Sequence, residues 1–402
     1  LGYGLLLSFK YRLKTSREQV EILGEQLRLC RLAYNTLLGH CFDERKAGRG
    51  TPTSTSLNYL LPAMNARTPE LEGVHSQVLQ NVAKRVRSGF ESYWKRRKAG
   101  LKTHLPRFRR ANKYDSLTYP QSGFSLDGCM LRLSKIGDVK LIQHRPLEGK
   151  VKTLTVTRSA SGRWFAVFSC EVENKPIPGR LPAVGVDFGL NSLVALSDGT
   201  LIEAPQSYRG AEERLGRAQR CLSRKRRGSR NREKARLRVA SVCEKVADQR
   251  RDFAYKTARM IVNRYVRVYV EDLKIANMVQ NRRLGKSIGD AGWGMLRNAL
   301  TYMAKMSEGV MAFVSPRNTS QLCSGCGALV PKPLSERTHR CPVCGLVLDR
   351  DVNAARNMLK RGLEIGLERA EYTPGGEAAN TQLSEAERVA SMNQEASLLV
   401  GR

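Results

Sequence analysis

The sequence is short of acidic residues. Asp and Glu together number 37 against 69 Lys and Arg in 402 residues, which leaves a formal net charge of +32. So large a positive excess repels itself unless a polyanion is bound, and it therefore predicts a partner with a dense phosphate backbone. A basic protein without such a partner is a weaker explanation of this charge.

Long hydrophobic runs are also missing. No uninterrupted apolar stretch approaches the ~20 residues that a membrane-spanning helix needs, and no signal peptide is visible. These absences disfavour a membrane partner. The chain starts at Leu1 rather than Met, which leaves open that the extreme N-terminus is trimmed.

Ten cysteines fall into two groups, and a reducing, intracellular compartment fits both. Four of them form two Cys-x-x-Cys pairs that are separated by fourteen residues, and each pair is followed by Gly. Four thiolates at this spacing suit a closed, structural zinc site, and a second pair argues against a thioredoxin-like redox motif. The predicted zinc ligands are Cys323, Cys326, Cys341 and Cys344. The scattered cysteines, predicted to be reduced thiols without chemistry, are Cys30, Cys41, Cys129, Cys170, Cys221 and Cys243.

The N-terminal half changes character along its length. Residues 1–14 alternate like a strand, and from about Ser16 apolar residues recur at intervals of three and four, which predicts helices. Residues 104–180 contain short β-like runs, among them a hairpin that turns at Ser161-Gly162. Three prolines between residues 176 and 182 indicate a domain boundary.

From residue 183 the predicted order is strand–strand–helix–strand–helix–strand. The first two strands lie in PAVGVDFGLNSLVALSDGT, and the later ones are VRVYVED and GVMAFV. Residues 211–264 are predicted to be helical and are strongly basic. The tail from Glu371 is polar and slightly acidic, so we expect it to be disordered.

Three acidic residues are distinguished by their positions. Asp187 ends an apolar strand, Glu271 ends another, and Asp351 opens the helix DVNAARNML. A carboxylate at the end of a buried strand requires compensation by a cation or by hydrogen bonds. Three such groups brought together would form an oxygen-rich site that suits magnesium. Two such ions can activate a water and stabilise the leaving oxygen in phosphodiester hydrolysis.

Each acid also has a structural alternative when it is taken singly. Asp187 could be a turn residue, Glu271 a surface acid at a strand end, and Asp351 a helix N-cap. Their occurrence together in a strongly basic protein favours the metal site. We expect the neighbouring Asp272 and Asp349 to have structural or supporting roles.

Two basic segments predict contact with nucleic acid. Cations continue from Arg224 through Arg238, a density that suggests phosphate contacts, although a solvated helix face is the alternative. LPRFRRANKY, at residues 105–114, interleaves Phe108 and Tyr114 with four cations, which would suit backbone contacts with stacking. A basic surface loop with one buried aromatic explains this segment equally well. The predicted contact residues are Arg107, Arg109, Arg224, Lys225, Arg226, Arg227 and Arg230.

Several segments together resemble the transposon-encoded TnpB proteins, which are related to compact type V CRISPR effectors. The likeness covers most of residues 1–370 and is most specific over 184–360. The segments that carry it are VGVDFGLNSLVALSDG, LSRKRRGSRNREKARLRVA, YVEDLKIANM, DAGWGMLRNAL, SPRNTSQLCSGCG and CPVCGLVLDRDVNAARNML, with PRFRR and LAYNTLL nearer the N-terminus.

The resemblance implies a multidomain α+β fold. Its parts would be a β-barrel-like wedge domain with a helical recognition insert, then an RNase H-like (RuvC) α/β nuclease domain with an inserted zinc ribbon. The implied bounds are 1–14 and 104–180 for the wedge, 15–103 for the recognition domain, 181–319 and 348–370 for the nuclease, 320–347 for the ribbon and 371–402 for the disordered tail.

The resemblance also implies an enzyme, an RNA-guided DNA endonuclease. A guide RNA from the transposon end would supply sequence specificity by pairing, and the protein would recognise a short target-adjacent motif on double-stranded DNA. By motif, the catalytic acids are Asp187, Glu271 and Asp351, with two Mg²⁺ ions, and the Zn²⁺ ligands are the four paired cysteines. The helix around Gln80 resembles the segment that contacts the target-adjacent motif. Such a protein acts at the nucleoid in a prokaryotic cytoplasm, and we expect a monomer with one RNA.

Two other functions fit parts of the sequence. A guided DNA-binding regulator that does not cut is disfavoured because all three acids are present. A guide-free zinc-ribbon DNA binder or transposase accessory would carry no specific RNA. A DDE-type transposase is a poorer fit, since nothing in the sequence looks like a transposon-end recognition domain.

Overall fold

A computed structural model describes residues 5–173, 177–333 and 336–364. The chain divides into two compact units, Leu1–Glu173 and Asn174–Arg402. The tail predicted to be disordered, 371–402, lies outside the described residues. Within the described ranges, none of the helices has both the length and the apolar character needed to cross a membrane.

The long first helix of this unit begins where the sequence predicts a helix. Helix α1 (Arg17–Lys46) starts at Ser16, whose hydroxyl accepts the N–H of Gln19, while the Gln19 side chain accepts the N–H of Ser16. This reciprocal capping box satisfies two otherwise unpaired donors. The apolar stripe of α1 packs against that of α4 (Ser76–Lys98). Between them lie α2 (Ser54–Asn58), α3 (Leu61–Arg67) and a 3-10 helix at Pro69–Gly73, and a second 3-10 helix follows at Ala111–Lys113.

Seven antiparallel strands form the sheet of the first unit. They are β1 (Leu5–Lys14), β2 (Ser116–Tyr119), β3 (Phe124–Asp127), β4 (Met130–Leu133), β5 (Gly137–Ile142), β6 (Lys150–Arg158) and β7 (Trp164–Val172). The spatial order is β2-β6-β7-β1-β5-β4-β3. The predicted hairpin is β6–β7, and the alternation in β1 buries Leu7, Phe9, Tyr11 and Leu13.

The two outer strands of this sheet, β2 and β3, approach each other through side chains. The ring of Tyr119, at the end of β2, lies 6.4 Å from that of Phe124, the first residue of β3. The Tyr119 hydroxyl also donates to the carbonyl oxygen of Ser134 at 3.5 Å. The sheet is therefore a nearly closed β-barrel, which confirms the barrel-like fold predicted for this part of the chain.

A five-stranded mixed sheet organises the second unit. Its strands are β8 (Leu181–Phe188), β9 (Ser192–Leu196), β10 (Leu201–Glu203), β11 (Tyr265–Glu271) and β12 (Val310–Val314). The spatial order is β10-β9-β8-β11-β12, with β8 to β10 antiparallel and both β11 and β12 parallel to β8. Interior parallel strands are covered on both faces, which explains the unbroken apolar runs in β8 and β11. The sequence pattern predicted four of these strands and missed β10, which has three residues.

Helices cover both faces of this sheet. The helices of this unit are α5 (Arg209–Ser223), α6 (Arg230–Arg264), α7 (Ile275–Met278), α8 (Gly285–Ala291), α9 (Trp293–Met306) and α10 (Arg350–Glu364). Helix α5 packs on α6 in a cluster of its own. A small hairpin of β13 (Thr338–Arg340) and β14 (Val347–Asp349) precedes α10. Helices α6 and α9 bury the larger apolar cluster. Helix α10 covers the opposite face, where its Ala354 and Met358 pack against Tyr269 of β11 and Val314 of β12. The predicted helical region 211–264 is thus two helices joined by a basic turn.

Two glycines allow α10 to lie directly on the sheet. A Cβ added at Gly185 in β8 would overlap the carbonyl oxygen of Ala355 and come within 2.7 Å of the backbone nitrogen of Leu359. A Cβ at Gly362 would likewise overlap the ring of Tyr269 in β11. This close contact sets the position of the first turn of α10 relative to the end of β8.

Candidate functional site

Two of the three predicted acids occupy neighbouring strand ends. Strands β8 and β11 pair with Val186 opposite Val270, so Asp187 and Glu271 are the next residues on each strand. Adjacent strands lie about 4.8 Å apart, and side chains at matching positions of parallel strands face the same side. Asp187 and Glu271 are 8% and 9% exposed, so both carboxylates are buried.

The third acid comes from the first turn of α10. The carboxylate of Asp349 accepts the N–H groups of Asp351 at 2.8 Å and of Val352 at 3.3 Å, so Asp349 caps this helix. That contact assigns the capping role to Asp349 rather than Asp351. A Cβ added at Gly189, just after β8, would lie 3.2 Å from Oδ2 of Asp351, which places this buried carboxylate beside the turn that follows Asp187.

The three acids interact electrostatically. Burial, and then the charges of Glu271 and Asp351, raise the pKa of Asp187 well above its ordinary value. Burial also raises the pKa of Glu271, although the Thr319 hydroxyl and the charge of Arg361 act in the opposite direction. Buried like charges are costly to ionise, so this cluster favours a bound cation.

Two arginines that the sequence analysis did not identify lie beside Asp351. Arg350 places Nη2 at 3.1 Å from Oδ1, and Arg337 places Nη1 at 3.4 Å from Oδ2. With its amide oxygen turned towards Arg337, Asn191 accepts from Nη2 of that arginine at 2.9 Å. Arg337 therefore contacts both α10 and the β8–β9 turn. Its sequence position, in the gap between the Cys pairs, gave no signal of this contact.

Two further residues hold the surroundings of the acids. The Thr319 hydroxyl donates to Oε1 of Glu271 at 3.0 Å, and the Trp293 indole N–H donates to the carbonyl oxygen of Gly189 at 3.2 Å. Thr319 and Trp293 lie in segments that carry the family resemblance, and this resemblance was the one sequence feature that could have identified them. Asp272 is exposed, and its N–H donates to the carbonyl oxygen of Val314.

The four paired cysteines converge on one point. Their sulfurs all lie within 4.8 Å of one another, with 3.5 Å between Cys323 and Cys344 and between Cys326 and Cys341. Zinc–sulfur bonds of about 2.3 Å place tetrahedral ligands about 3.8 Å apart, so the cluster could hold a zinc ion. Backbone N–H groups, that of Cys344 first, lower the pKa of the Cys341 thiol to about 6, which favours the thiolate that binds metal.

Each half of the cysteine cluster is a turn held by its own backbone. The N–H of Gly327 donates to the Cys323 carbonyl at 2.9 Å, and the N–H of Gly345 donates to the Cys341 carbonyl at 3.0 Å. Both glycines have positive φ, +77° and +72°, a region that other residues adopt only with strain. His339 is not among the converging ligands and instead lies with Nδ1 2.7 Å from Nζ of Lys332.

The carboxylates are spread more widely than the sulfurs. Among the described residues, the cysteines are the one set of three or more His, Cys, Asp or Glu ligand atoms that all lie within 4.8 Å of one another. The acids therefore approach one another without forming an equally tight set.

The predicted nucleic-acid contacts are exposed. In the first unit, Gln80 lies on the outer side of α4, and Arg107 and Arg109 lie in the segment before β2. Phe108 is 55% exposed, whereas Tyr114 is 6% exposed, so this basic segment has one buried aromatic. In the second unit, the exposed basic turn between α5 and α6 carries Arg224, Lys225, Arg226 and Arg227, and the exposed Arg230 opens α6. Their contact with nucleic acid stays a prediction.

Comparison with known proteins identifies the family. The chain is 35% identical over 367 residues to the "Putative RNA-guided DNA endonuclease" of Streptomyces pristinaespiralis, and the match covers 89% of each chain. It is 31% identical over 378 residues to the "Putative RNA-guided DNA endonuclease InsQ" of Escherichia coli K12, covering 89% of this chain and 92% of that one. The IS605 OrfB profile, described as "Probable transposase", matches residues 167–282, and a "Cas12f1-like, TNB domain" profile matches 293–358. The chain belongs to the TnpB/IS605 OrfB family.

Structural comparison agrees on the fold. The Cas12f1 chain of a cryo-EM complex of Cas12f1, sgRNA and target DNA superposes with a TM-score of 0.56 at 16% identity, covering 85% of this chain and 83% of that chain. A "Helix-turn-helix domain" profile matches residues 5–50. In this protein the stretch is strand β1 followed by the single 30-residue helix α1, which confirms the predicted strand-then-helix order.

Proposed function

We propose that this chain is an RNA-guided DNA endonuclease that hydrolyses phosphodiester bonds with Asp187, Glu271 and Asp351. The observation that carries the proposal is the convergence of these buried acids from β8, β11 and α10, in a chain 35% identical to a relative of that name. The position of Asp187 and Glu271 at the ends of central strands of a mixed sheet, with Asp351 in the helix that covers it, supports an RNase H-like (RuvC) nuclease domain at 181–319 and 348–370. The nearly closed barrel supports a wedge domain at 1–14 and 104–180, with a recognition insert at 15–103.

The chemistry of the acid cluster fits magnesium. Carboxylate oxygens are the ligands this ion prefers, and burial, followed by the neighbouring acids, raises the pKa of Asp187 and Glu271, so their ionised forms need a compensating cation. We propose that the three acids hold two Mg²⁺ ions. When bound, these ions supply water activation and stabilisation of the leaving oxygen.

Neighbouring side chains keep the acids in place. The Thr319 hydroxyl orients Glu271, Trp293 holds the turn after Asp187, and Arg350 partly neutralises Asp351. The four cysteines, in a zinc ribbon at 320–347, would hold a structural Zn²⁺, because a closed set of four thiolates leaves no position for a substrate.

The proposed partners are a guide RNA and a target DNA duplex. Support comes from the formal charge of +32 and from the exposed positions of the basic turn and of Gln80, Arg107 and Arg109. Pairing with the guide would select the target. We further propose that one chain binds one RNA and acts in a prokaryotic cytoplasm at the nucleoid.

The proposal is tested by expressing the chain with its flanking DNA and sequencing the RNA that co-purifies. A plasmid matched to a reprogrammed guide should be cut in Mg²⁺ and not in EDTA. Asp187→Ala should lower the cleavage rate by at least ~10³-fold and leave DNA binding intact. The matched control is Asp272→Ala, which removes an exposed acid one residue from Glu271 and should keep cleavage within a few-fold.

The opposite results are equally informative. Undiminished cutting in EDTA, or by Asp187→Ala, would refute the metal mechanism. Guided binding without cutting by the wild-type chain would instead support the regulator. Absence of a specific co-purified RNA would favour a guide-free DNA binder.

A further inference from the structure

Two buried asparagines of α10 bind the backbone of the segment that leads into the first cysteine pair. Nδ2 of Asn353 donates to the carbonyl oxygen of Leu322 at 2.7 Å, and Oδ1 of Asn353 accepts the N–H of Ser324 at 2.9 Å. Leu322 and Ser324 flank Cys323, so both sides of this ligand are attached to α10. Asn353 is fully buried, and a buried amide without these partners would be costly.

Asn357, one turn further along α10, extends this contact towards the acids. Its Nδ2 donates to the carbonyl oxygen of Leu322 at 2.7 Å and to that of Thr319 at 2.8 Å. The two asparagines therefore hold the backbone on both sides of the short turn from Thr319 to Ser324. That turn begins at the residue that contacts Glu271 and includes the first cysteine.

The Thr319 side chain completes the connection. It is 2% exposed, and its hydroxyl oxygen lies 3.0 Å from Oε1 of Glu271 and 3.1 Å from the carbonyl oxygen of Pro316. A hydroxyl has one proton to donate, and a bond to an ionised carboxylate is the stronger of the two. Because α10 fixes the Thr319 backbone, this hydroxyl can fix one oxygen of Glu271.

We propose that Thr319 is a positioning residue for Glu271, and that Asn353 and Asn357 make its position depend on the cysteine cluster. Zinc loading would then set the affinity of the acid cluster for a divalent cation. Loss of zinc would free Cys323 and so weaken the hydrogen bonds that Asn353 and Asn357 make to the backbone on either side of it, which would release the Thr319 hydroxyl. The inference rests on the proposed function for the divalent ligand of the acids.

The first test measures Mn²⁺ binding to the full-length, zinc-loaded protein by electron paramagnetic resonance. Thr319→Val keeps the branched shape and removes the hydroxyl, and it should weaken Mn²⁺ binding by ~10–100-fold, the usual cost of losing a partner of a metal ligand. Thr319→Ser restores the hydroxyl and should bind within a few-fold of wild type. Thr257→Val is the matched control, because Thr257 is a buried threonine of α6 and should leave binding unchanged.

The second test addresses the coupling to zinc. Asn357→Leu, and wild-type protein stripped of zinc, should each weaken Mn²⁺ binding in the same direction as Thr319→Val. The double variant Thr319→Val/Asn357→Leu should bind about as weakly as Thr319→Val alone, since both changes remove one interaction. Zinc content should stay at one per chain in Thr319→Val, which shows that its ribbon is intact.

Each outcome decides a separate point. Wild-type Mn²⁺ affinity in Thr319→Val, or failure of Thr319→Ser to restore binding, overturns the positioning role. Unchanged affinity after zinc removal overturns the coupling. If the wild-type protein binds no Mn²⁺, or if Asp187→Ala leaves its Mn²⁺ binding unchanged, this inference falls together with the proposed metal site. If Mn²⁺ binds as expected but guided DNA is not cut, the proposed function falls and the positioning role stands.

Discussion

The cysteine cluster and the acid cluster are built in opposite ways. The four cysteines lie within 22 consecutive residues, and the backbone of each turn aims its two sulfurs at a common point. The acids come from positions 187, 271 and 351, and only the packing of β8, β11 and α10 brings them together. One site is therefore specified by local chain geometry and the other by the tertiary fold.

The two clusters also differ in how much they depend on a cation. The sulfurs already lie near tetrahedral spacing, and within the cluster the pKa of Cys341 is lowered to about 6 while that of Cys344 is raised to about 12. Burial raises the pKa of Asp187 and of Glu271, and Asp351 is paired with two arginines. A local site can thus be judged from its ligands alone, whereas a non-local site must be judged with the residues that hold its parts.

The largest expected effect is on the local site. Cys326→Ser should remove zinc almost completely, because binding of such an ion is worth on the order of 10 kcal/mol and three thiolates no longer close the site. Metal analysis should show zinc far below one per chain, and limited proteolysis should cut between residues 320 and 347. Cys129→Ser changes another exposed cysteine, which lies outside the cluster, and should leave both measurements unchanged. Full zinc content in Cys326→Ser would show that the cluster is not a four-cysteine site.

The next largest effect is on the packing that assembles the acids. Gly185→Ala would force α10 away from β8, so the free energy of unfolding should fall by ~3 kcal/mol and DNA cleavage should be lost. Gly294→Ala is the control, since a Cβ on this glycine of α9 meets nothing within 4 Å. It should stabilise the protein by ~0.5–1 kcal/mol, as expected for Ala replacing Gly in a helix. Chemical denaturation measures the free energy of unfolding of both variants. A Gly185→Ala protein as stable as wild type would contradict the role of this contact.

This comparison shows what the sequence could and could not predict. Cysteine spacing was sufficient for the cluster because ligand and turn are adjacent in the chain. Strand ends located Asp187 and Glu271, but their adjacency needs the register of β8 on β11, which no local pattern encodes. Thr319 and Arg337 were missed because their partners are 48 and 14 residues away. Strand β10 was missed because three residues are too few to show a period.

A smaller effect should appear when the charge of the acid cluster is reduced. In the folded protein the pKa of Asp187 lies well above its ordinary value of 3.8, so Asp187 keeps its proton to a higher pH than it does in the unfolded chain. Stability without metal should therefore fall as pH rises from about 4 through the raised pKa, and Glu271 contributes with the same sign. Asp187→Asn should remove most of this fall and raise stability in EDTA at neutral pH by ~2 kcal/mol. Thermal denaturation of the wild-type and Asp187→Asn proteins in EDTA from pH 4 to 8 measures this difference in stability. If the stability of both proteins changes equally with pH, Asp187 is not an uncompensated charge.

The smallest effect concerns the arginine that faces Asp351 from outside. The Arg337 side chain is 40% exposed while that of Asp351 is 9% exposed, so solvent weakens the pair and Arg337→Gln should cost at most ~1 kcal/mol in EDTA. A divalent ion compensates the same carboxylate, so the cost should shrink in Mg²⁺. Arg132→Gln breaks an ion pair of the first unit that is exposed on both sides, and it should change nothing measurable in either buffer. Urea denaturation with and without Mg²⁺ distinguishes the two variants. An equal cost in both buffers would mean that Arg337 supports the fold around α10 independently of the charge of the acid cluster.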